Sequence, residues 1–331
     1  MKKINLGIIG LGSIGVLHLD NCLKLSNANL IAVSDTSRKA QNLAKSAGVK
    51  KIYGDYEQLL SDKEIDAVII SLPTHLHFEC AIKAAENKKH ILLEKPIARS
   101  VSEAKDIVSA SQKNSVKLMI GYPLRFNPIF YGLKQKIDSG CLGDIVGAYA
   151  TNVGSGPFFE RAIDNAPLPV PEWWFNKGLT GGGVLMDLGS HMINLLRWYF
   201  GEITDIRSQL DYKCNLDFED SATCLAKFSS GTTAVIWTGW FSQELQLKVE
   251  LLGTVGHVKE QIVSKNNFLL TASRKMLIGN SSYQSPHFSE VNYFVNCLLN
   301  DSNPSPSGID GLKDIEAISM AYRNQINLTQ N

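Results

Sequence analysis

Short apolar runs recur along the first third of the chain, Ile4 to Ile9, Leu30 to Val33, Ala67 to Leu72, Ile91 to Leu93 and Val116 to Ile120, with helical patterns such as Val16 to Leu25 between them. Strands that alternate with helices predict a parallel sheet with crossover helices. Ser100 followed by Glu103 forms a capping box for a helix running toward Lys113. Residues 1–122 therefore read as an α/β domain of Rossmann type, a doubly wound parallel sheet.

Beyond Gly121 the pattern changes, and residues 123–331 read as a second α/β domain. A helix is expected from Pro128 to Ser139, a strand from Ile145 to Val153, and then a segment rich in Gly and Pro from Gly154 to Gly183. A loop of that length in a compact domain is expected to bind something, and its Trp173-Trp174-Phe175 cluster argues for order. A helix from Asp187 to Phe200 follows, then β-branched and aromatic runs at Ile203 to Leu210, Ala222 to Phe228, Thr232 to Trp240 and Leu245 to Leu252. These predict a mostly antiparallel open sheet. Two closing helices, His287 to Leu299 and Gly311 to Gln325, flank the stretch Asn303 to Gly308, and the last of the chain is expected to be able to pack back on the first domain.

The first strand runs directly into Gly10-Leu11-Gly12-Ser13-Ile14-Gly15, a G-x-G-x-x-G turn. Gly10 permits the tight turn, Gly12 lets the backbone approach a pyrophosphate, and Gly15 lets the helix pack closely on the strand. The N–H groups at Ser13 and Ile14 then open a helix that can hold the anion. Asp35, at the end of the second strand, fits an acceptor for ribose hydroxyls. NAD is the expected cofactor, with NADP as the alternative because Arg38 could stack on adenine or meet a 2′-phosphate.

Net charge is +1, from 33 basic and 32 acidic residues with no long run of either sign, which argues against nucleic-acid or membrane-surface partners. No stretch of about 18 apolar residues occurs, and Met1-Lys2-Lys3 leads straight into the first strand, so a cytoplasmic protein is expected. The six cysteines form no C-x-x-C pair. His75 and His77 lack an evident third ligand, and no metal is expected.

The chemistry centres on Gly181-Gly182-Gly183-Val184-Leu185-Met186-Asp187-Leu188-Gly189-Ser190-His191. Asp187 and His191 lie four apart at a helix start and share a face, so both can act on one proton. His191 suits a general base for a hydroxyl, with the carboxylate orienting it. The competing reading is an N-cap Asp and a packed His. Glu94-Lys95-Pro96 adds a lysine whose backbone the proline holds extended at the carboxyl edge of a strand, as Ser71-Leu72-Pro73 ends another. Trp173, Trp174 and Phe175 could stack on a sugar face or pack the loop on its domain. Arg125, Arg161 and Lys177 could meet a phosphate or carboxylate, although cations near a loop are also ordinary surface composition.

Together these features resemble the glucose-fructose oxidoreductase and inositol dehydrogenase family, Gfo/Idh/MocA, over nearly the whole length. The resemblance rests on the N-terminal fingerprint, Pro73 with His77, His90 to Pro96, Gly121 with Arg125-Phe126 and Pro128, and Gly181 to His191. It implies a catalytic trio of Lys95, Asp187 and His191, with Leu72, Pro73, His77, Glu94 and Lys95 near the cofactor. It also implies an open second-domain sheet that makes subunit contacts, hence a homo-oligomer, dimer or tetramer.

The expected reaction moves a hydride between nicotinamide and a secondary-alcohol carbon of a sugar, cyclitol or nucleotide-sugar. Lys95, Arg125, Trp174, Asp187 and His191 are then expected at that substrate, between the domains. The alternative is a non-catalytic dinucleotide-binding sensor of the same fold. Thr74 and Asn194 depart from the family pattern, which often has Asn and an acid there, and both are expected near the pocket.

Overall fold

The computed structural model describes residues 3–157, 161–163, 166–168, 170–242, 244–264 and 285–326. Two compact units are present, the first made of Met1–Phe126 with Pro286–Leu312 and the second of Asn127–Ser285 with Lys313–Asn331. The chain thus returns to the first unit near its end, which a single division after residue 122 does not capture.

The first unit is a six-stranded parallel sheet of β1 (Ile4–Ile9), β2 (Ala28–Ser34), β3 (Lys51–Tyr53), β4 (Ala67–Ile70), β5 (His90–Glu94) and β6 (Leu118–Gly121). Their order is β3-β2-β1-β4-β5-β6, so it reverses beside β1. Ligands of open α/β sheets bind at such a switch point, outside the carboxyl ends of the strands. The crossovers are α1 (Ser13–Leu23), α2 (Arg38–Ser46), α3 (Tyr56–Ser61), α4 (Thr74–Glu86) and α5 (Val101–Lys113). Ser100 caps α5 by accepting from the Glu103 N–H, and Glu103 reaches back to the Arg99 N–H, so the capping box closes one residue earlier than its usual form.

One face of this sheet is covered by α1 and by α9 (Pro286–Leu299). Leu19 and Cys22 of α1 and Val291, Phe294 and Val295 of α9 share a core with Leu6, Ile8, Val33, Ile69 and Leu92. All ten are apolar and buried, which is what binds a segment this distant in sequence to the sheet.

The second unit has a six-stranded sheet from β7 (Ile145–Val153), β10 (Ile203–Asp211), β11 (Ser221–Phe228), β12 (Thr233–Gly239), β13 (Leu245–Gly253) and β14 (His257–Ser264). Its order is β10-β11-β12-β7-β13-β14, antiparallel except for the β12–β7 pair. Residues alternate in and out along β11, with Ala222, Cys224, Ala226 and Phe228 buried. The inner face carries α8 (Ser190–Phe200) and α10 (Gly308–Arg323), which Asp314 ties together by accepting from Arg197 at 2.6 Å and from Asn194 at 2.7 Å. α6 (Pro128–Asp138) starts this unit, with Asn127 as its cap.

The segment expected as one long loop contains a short antiparallel pair, β8 (Arg161–Ile163) with β9 (Ala166–Leu168), a 3₁₀ turn Glu172–Phe175 and α7 (Lys177–Thr180). Residues 158–160, 164, 165 and 169 of it lie outside the described residues. No helix among the described residues is long and apolar enough to cross a membrane.

Candidate active site

In the first unit the three turn glycines have separate tasks. Gly10 has φ +89°, and a Cβ there would lie 2.8 Å from the Ser71 carbonyl oxygen. A Cβ on Gly15 would lie 2.0 Å from the Gly10 carbonyl oxygen, so only glycine lets α1 start against the turn. A Cβ on Gly12 would meet nothing within 4 Å. That open flank faces the start of α1, where Ser13 and Ile14 are partly exposed and no side chain caps the helix or places an acid in its first turn. Free backbone donors at a positive helix end, beside a position with room for a ligand, fit the pyrophosphate of NAD.

Asp35 closes the other side. Its Oδ2 accepts the Leu11 N–H of the glycine turn at 2.7 Å and its Oδ1 accepts the Ser37 N–H at 2.7 Å. A carboxylate oxygen has a second lone pair, so Asp35 still has acceptors for two ribose hydroxyls. Arg38 opens α2 and is exposed.

The strand ends beyond the turn are held by buried histidines. His77 bridges the chain after β4 to the chain after β5, with Nε2 at 2.8 Å from the Leu72 carbonyl and Nδ1 at 2.9 Å from that of Pro96. Burial pushes its pKa below the ordinary value, against the pull of both carbonyls. Pro73 occupies the N-cap position of α4 without a side-chain hydrogen bond, and Thr74 is buried in its first turn.

His18 of α1, unread in the sequence, places Nε2 at 2.7 Å from Glu94 Oε1. Burial raises the Glu94 pKa, but the His18 hydrogen bond and the fields of His18, His287 and Lys95 outweigh it and hold the carboxyl below its usual value. The anchored Glu94 precedes Lys95, which is partly exposed at the end of β5. Arg125 is buried, with its guanidinium 3.3 Å from Ser305 Oγ and 3.6 Å from Asp310 Oδ1.

In the second unit the helix of Asp187 is not α-helical where it begins. Leu185–Gly189 is a π-turn leading into α8, a distortion found often at functional sites. Asp187 in this turn and His191 in the first turn of α8 are both partly exposed. Trp240, which the sequence reading missed, donates its indole N–H to Asp187 Oδ2 at 3.2 Å. It is buried, with Phe218 edge-on at 6.1 Å and Trp174 at 6.4 Å between ring centroids. Trp174, partly exposed, so joins Asp187 through Trp240. Asn194 is buried and donates its amide N–H to Asp314. The only sequence signal for Trp240 was its place at the end of a strand run.

Among the described residues no His, Cys, Asp or Glu cluster could hold a metal ion. By its geometry the first unit is a dinucleotide-binding domain, and the second carries an acid and an imidazole four residues apart where a helix begins.

The chain belongs to the Gfo/Idh/MocA family of oxidoreductases. The model described as "Oxidoreductase family, NAD-binding Rossmann fold" matches residues 4–122, and the GFO/IDH/MocA C-terminal domain matches residues 130–259. The chain is 26% identical to myo-inositol 2-dehydrogenase of Thermotoga maritima, over 93% of this chain and 92% of that protein. It is also 26% identical to the NAD(+)-dependent scyllo-inositol 2-dehydrogenase of Bacillus subtilis, over 97% of this chain and 95% of the relative. The fold matches scyllo-inositol dehydrogenase of Lactobacillus casei, solved with NAD(H) and scyllo-inositol, with a TM-score of 0.80, 22% identity and coverage of 98% of this chain and 97% of that one.

Proposed function

We propose that this oxidoreductase is an NAD-dependent dehydrogenase acting on a secondary hydroxyl of a cyclitol or a related sugar. The observation that carries the proposal is Asp187, held by the Trp240 indole on the π-turn that leads into the helix of His191. The cyclitol relatives support the substrate class. NAD, when bound, supplies the hydride acceptor. His191 takes the proton of the reacting hydroxyl as general base, and Asp187 orients substrate and imidazole. Lys95 donates a hydrogen bond to the same oxygen and stabilises the negative charge that develops there. Trp174 offers a partly exposed ring to the C–H face of the substrate. The pyrophosphate is held by the turn Gly10 to Gly15, and Asp35 favours the free ribose hydroxyls of NAD over the 2′-phosphate of NADP.

Reduced nicotinamide absorbance, followed with myo-inositol, scyllo-inositol, glucose and a nucleotide-sugar under both cofactors, tests the assignment. His191→Ala and Lys95→Met should each lower kcat by roughly 10²–10⁴-fold while NAD affinity holds. No turnover on any of these substrates, or near-normal turnover in His191→Ala, would overturn it. Tighter binding of NADP than NAD would reverse the cofactor preference.

Two further parts of the proposal concern its setting. A homo-oligomer forms through the outer face of the second sheet, where Tyr149, Leu225 and Trp237 are 47%, 49% and 44% exposed on neighbouring strands. A cytoplasmic location is supported by Cys22, Cys80, Cys224 and Cys297, buried thiols that burial makes inert.

A further inference from the structure

Glu219 has no part in the proposed reaction, yet it is 1% exposed and collects three backbone donors at the start of the segment that carries Asp187. Its Oε1 accepts the Leu185 N–H at 3.0 Å and the Gly183 N–H at 3.1 Å. The Gly183 N–H also lies 3.3 Å from Oε2, and the Val184 N–H goes to the Glu219 main-chain carbonyl at 3.0 Å. Behind the carboxylate, Tyr322 of α10 donates its hydroxyl to Oε1 at 2.7 Å. Three consecutive N–H groups of a turn are thus satisfied by one residue of the loop that leads into β11.

The glycines of Gly181-Gly182-Gly183 record the same constraint. A Cβ on Gly183 would lie 2.0 Å from the Glu219 carbonyl oxygen, and one on Gly182 would lie 2.2 Å from the Tyr322 hydroxyl. The residue after Glu219 holds the other side of the acid. The Asp220 carbonyl accepts the Trp240 N–H at 2.9 Å, and the Trp240 indole reaches Asp187. Glu219-Asp220 therefore fixes both the backbone turn beneath Asp187 and the partner of its carboxylate.

We propose that Glu219, backed by Tyr322, is a positioning residue that sets the direction of Asp187 and His191 through the turn Gly183 to Leu185. The proposal rests on the dehydrogenase reading above. The Gly183 and Leu185 N–H groups and the Tyr322 hydroxyl all donate to the carboxylate, which suits the anion, and an anion at a helix start is favourably placed. Burial opposes this by raising the Glu219 pKa. The titratable groups facing it are Tyr322 from α10, Tyr212 beyond β10 and Cys224 from β11. An ordinary helix cap would add stability and leave the chemistry of His191 untouched. A positioning residue moves it.

The experiment compares wild type with Glu219→Gln, which keeps shape and loses charge, and with Tyr322→Phe, which loses only the hydroxyl. The imidazole of His191, assigned by its disappearance in His191→Gln, is titrated by NMR, a readout that needs no substrate. In Glu219→Gln its pKa should fall by about half a unit through loss of negative charge near the helix start. On the substrate found above, kcat should fall about tenfold with KM changed by less than about threefold, and Kd for NAD should hold. Tyr322→Phe should show smaller changes in the same directions.

A lowered Tm with unchanged His191 titration and unchanged kcat per folded molecule would overturn the proposal and leave Glu219 as a cap. Should Glu219→Gln fail to fold, an unchanged His191 titration in Tyr322→Phe would overturn it as well. Failure of the dehydrogenase reading shows separately, as turnover that survives His191→Ala.

Discussion

Single residues divide the work of the cofactor turn in a way that substitution can separate. Gly12→Ala adds a methyl group where nothing stands within 4 Å, so the fold should keep its Tm while NAD binding weakens by about tenfold or more, because the methyl takes the place of the phosphate. Gly15→Ala drives a Cβ to 2.0 Å from the Gly10 carbonyl and should cost about 1–3 kcal/mol, read as a lowered Tm without ligand. Equal effects of the two on Tm would refute the separation. The glycine pattern itself was legible in the sequence because its spacing is local. His18 and Glu219 were not, since each acts on residues far away along the chain, Glu94 and Gly183.

At the scale of elements, the period-two runs of β10 to β13 could be read directly, since each buries alternate apolar residues on one face. β14 escaped notice because it is an edge strand, His257-Val258-Lys259-Glu260-Gln261-Ile262-Val263-Ser264, with few apolar residues in alternation. The helix expected from Asp187 begins instead as a π-turn at Leu185, a hydrogen-bond choice that periodicity does not record. The consequence is measurable at Trp240. Replacing it with Phe keeps a ring beside Phe218 and Trp174 and removes the N–H given to Asp187. Turnover should drop about fivefold, the worth of one hydrogen bond, with little change in Tm. A large loss of stability with normal turnover would make Trp240 a packing residue only.

At the scale of the molecule, two properties depend on how separated segments assemble. The outer face of the second sheet brings Leu225, Val235 and Tyr149 into neighbouring register across β11, β12 and β7. Trp237→Glu on that face should shift the protein to a smaller species in sedimentation, with NAD affinity retained, and an unchanged mass would overturn the proposed subunit contact. Stability against acid is the second. In the first unit Asp62 is held down to about 2 by its hydrogen bond to Lys51, helped by the Glu64 N–H and the Tyr53 hydroxyl. A depressed folded pKa contributes stability that is present above the usual carboxylate range, shrinks as pH falls from about 4, and is gone below about 2. Denaturant unfolding should show wild type more stable than Asp62→Asn at pH 7, with the gap closing across that window. A gap independent of pH would assign the effect to packing.

The sequence by itself determined the Rossmann architecture of the first domain, the dinucleotide turn, the carboxylate after the second strand and the Asp187 to His191 segment. All of these are written in local spacing, where residues a few positions apart must share a strand, a turn or a helix face. Tertiary structure alone decided that Pro286–Leu312 joins the first unit, and that Arg125 and Asn194 are buried with Asp310 and Asp314. It also decided that Trp240 and Glu219 meet the Asp187 turn. These pairings join residues tens to hundreds of positions apart, and they exist because burial penalises an unpaired polar atom and so favours a partner among whatever the packed elements bring near.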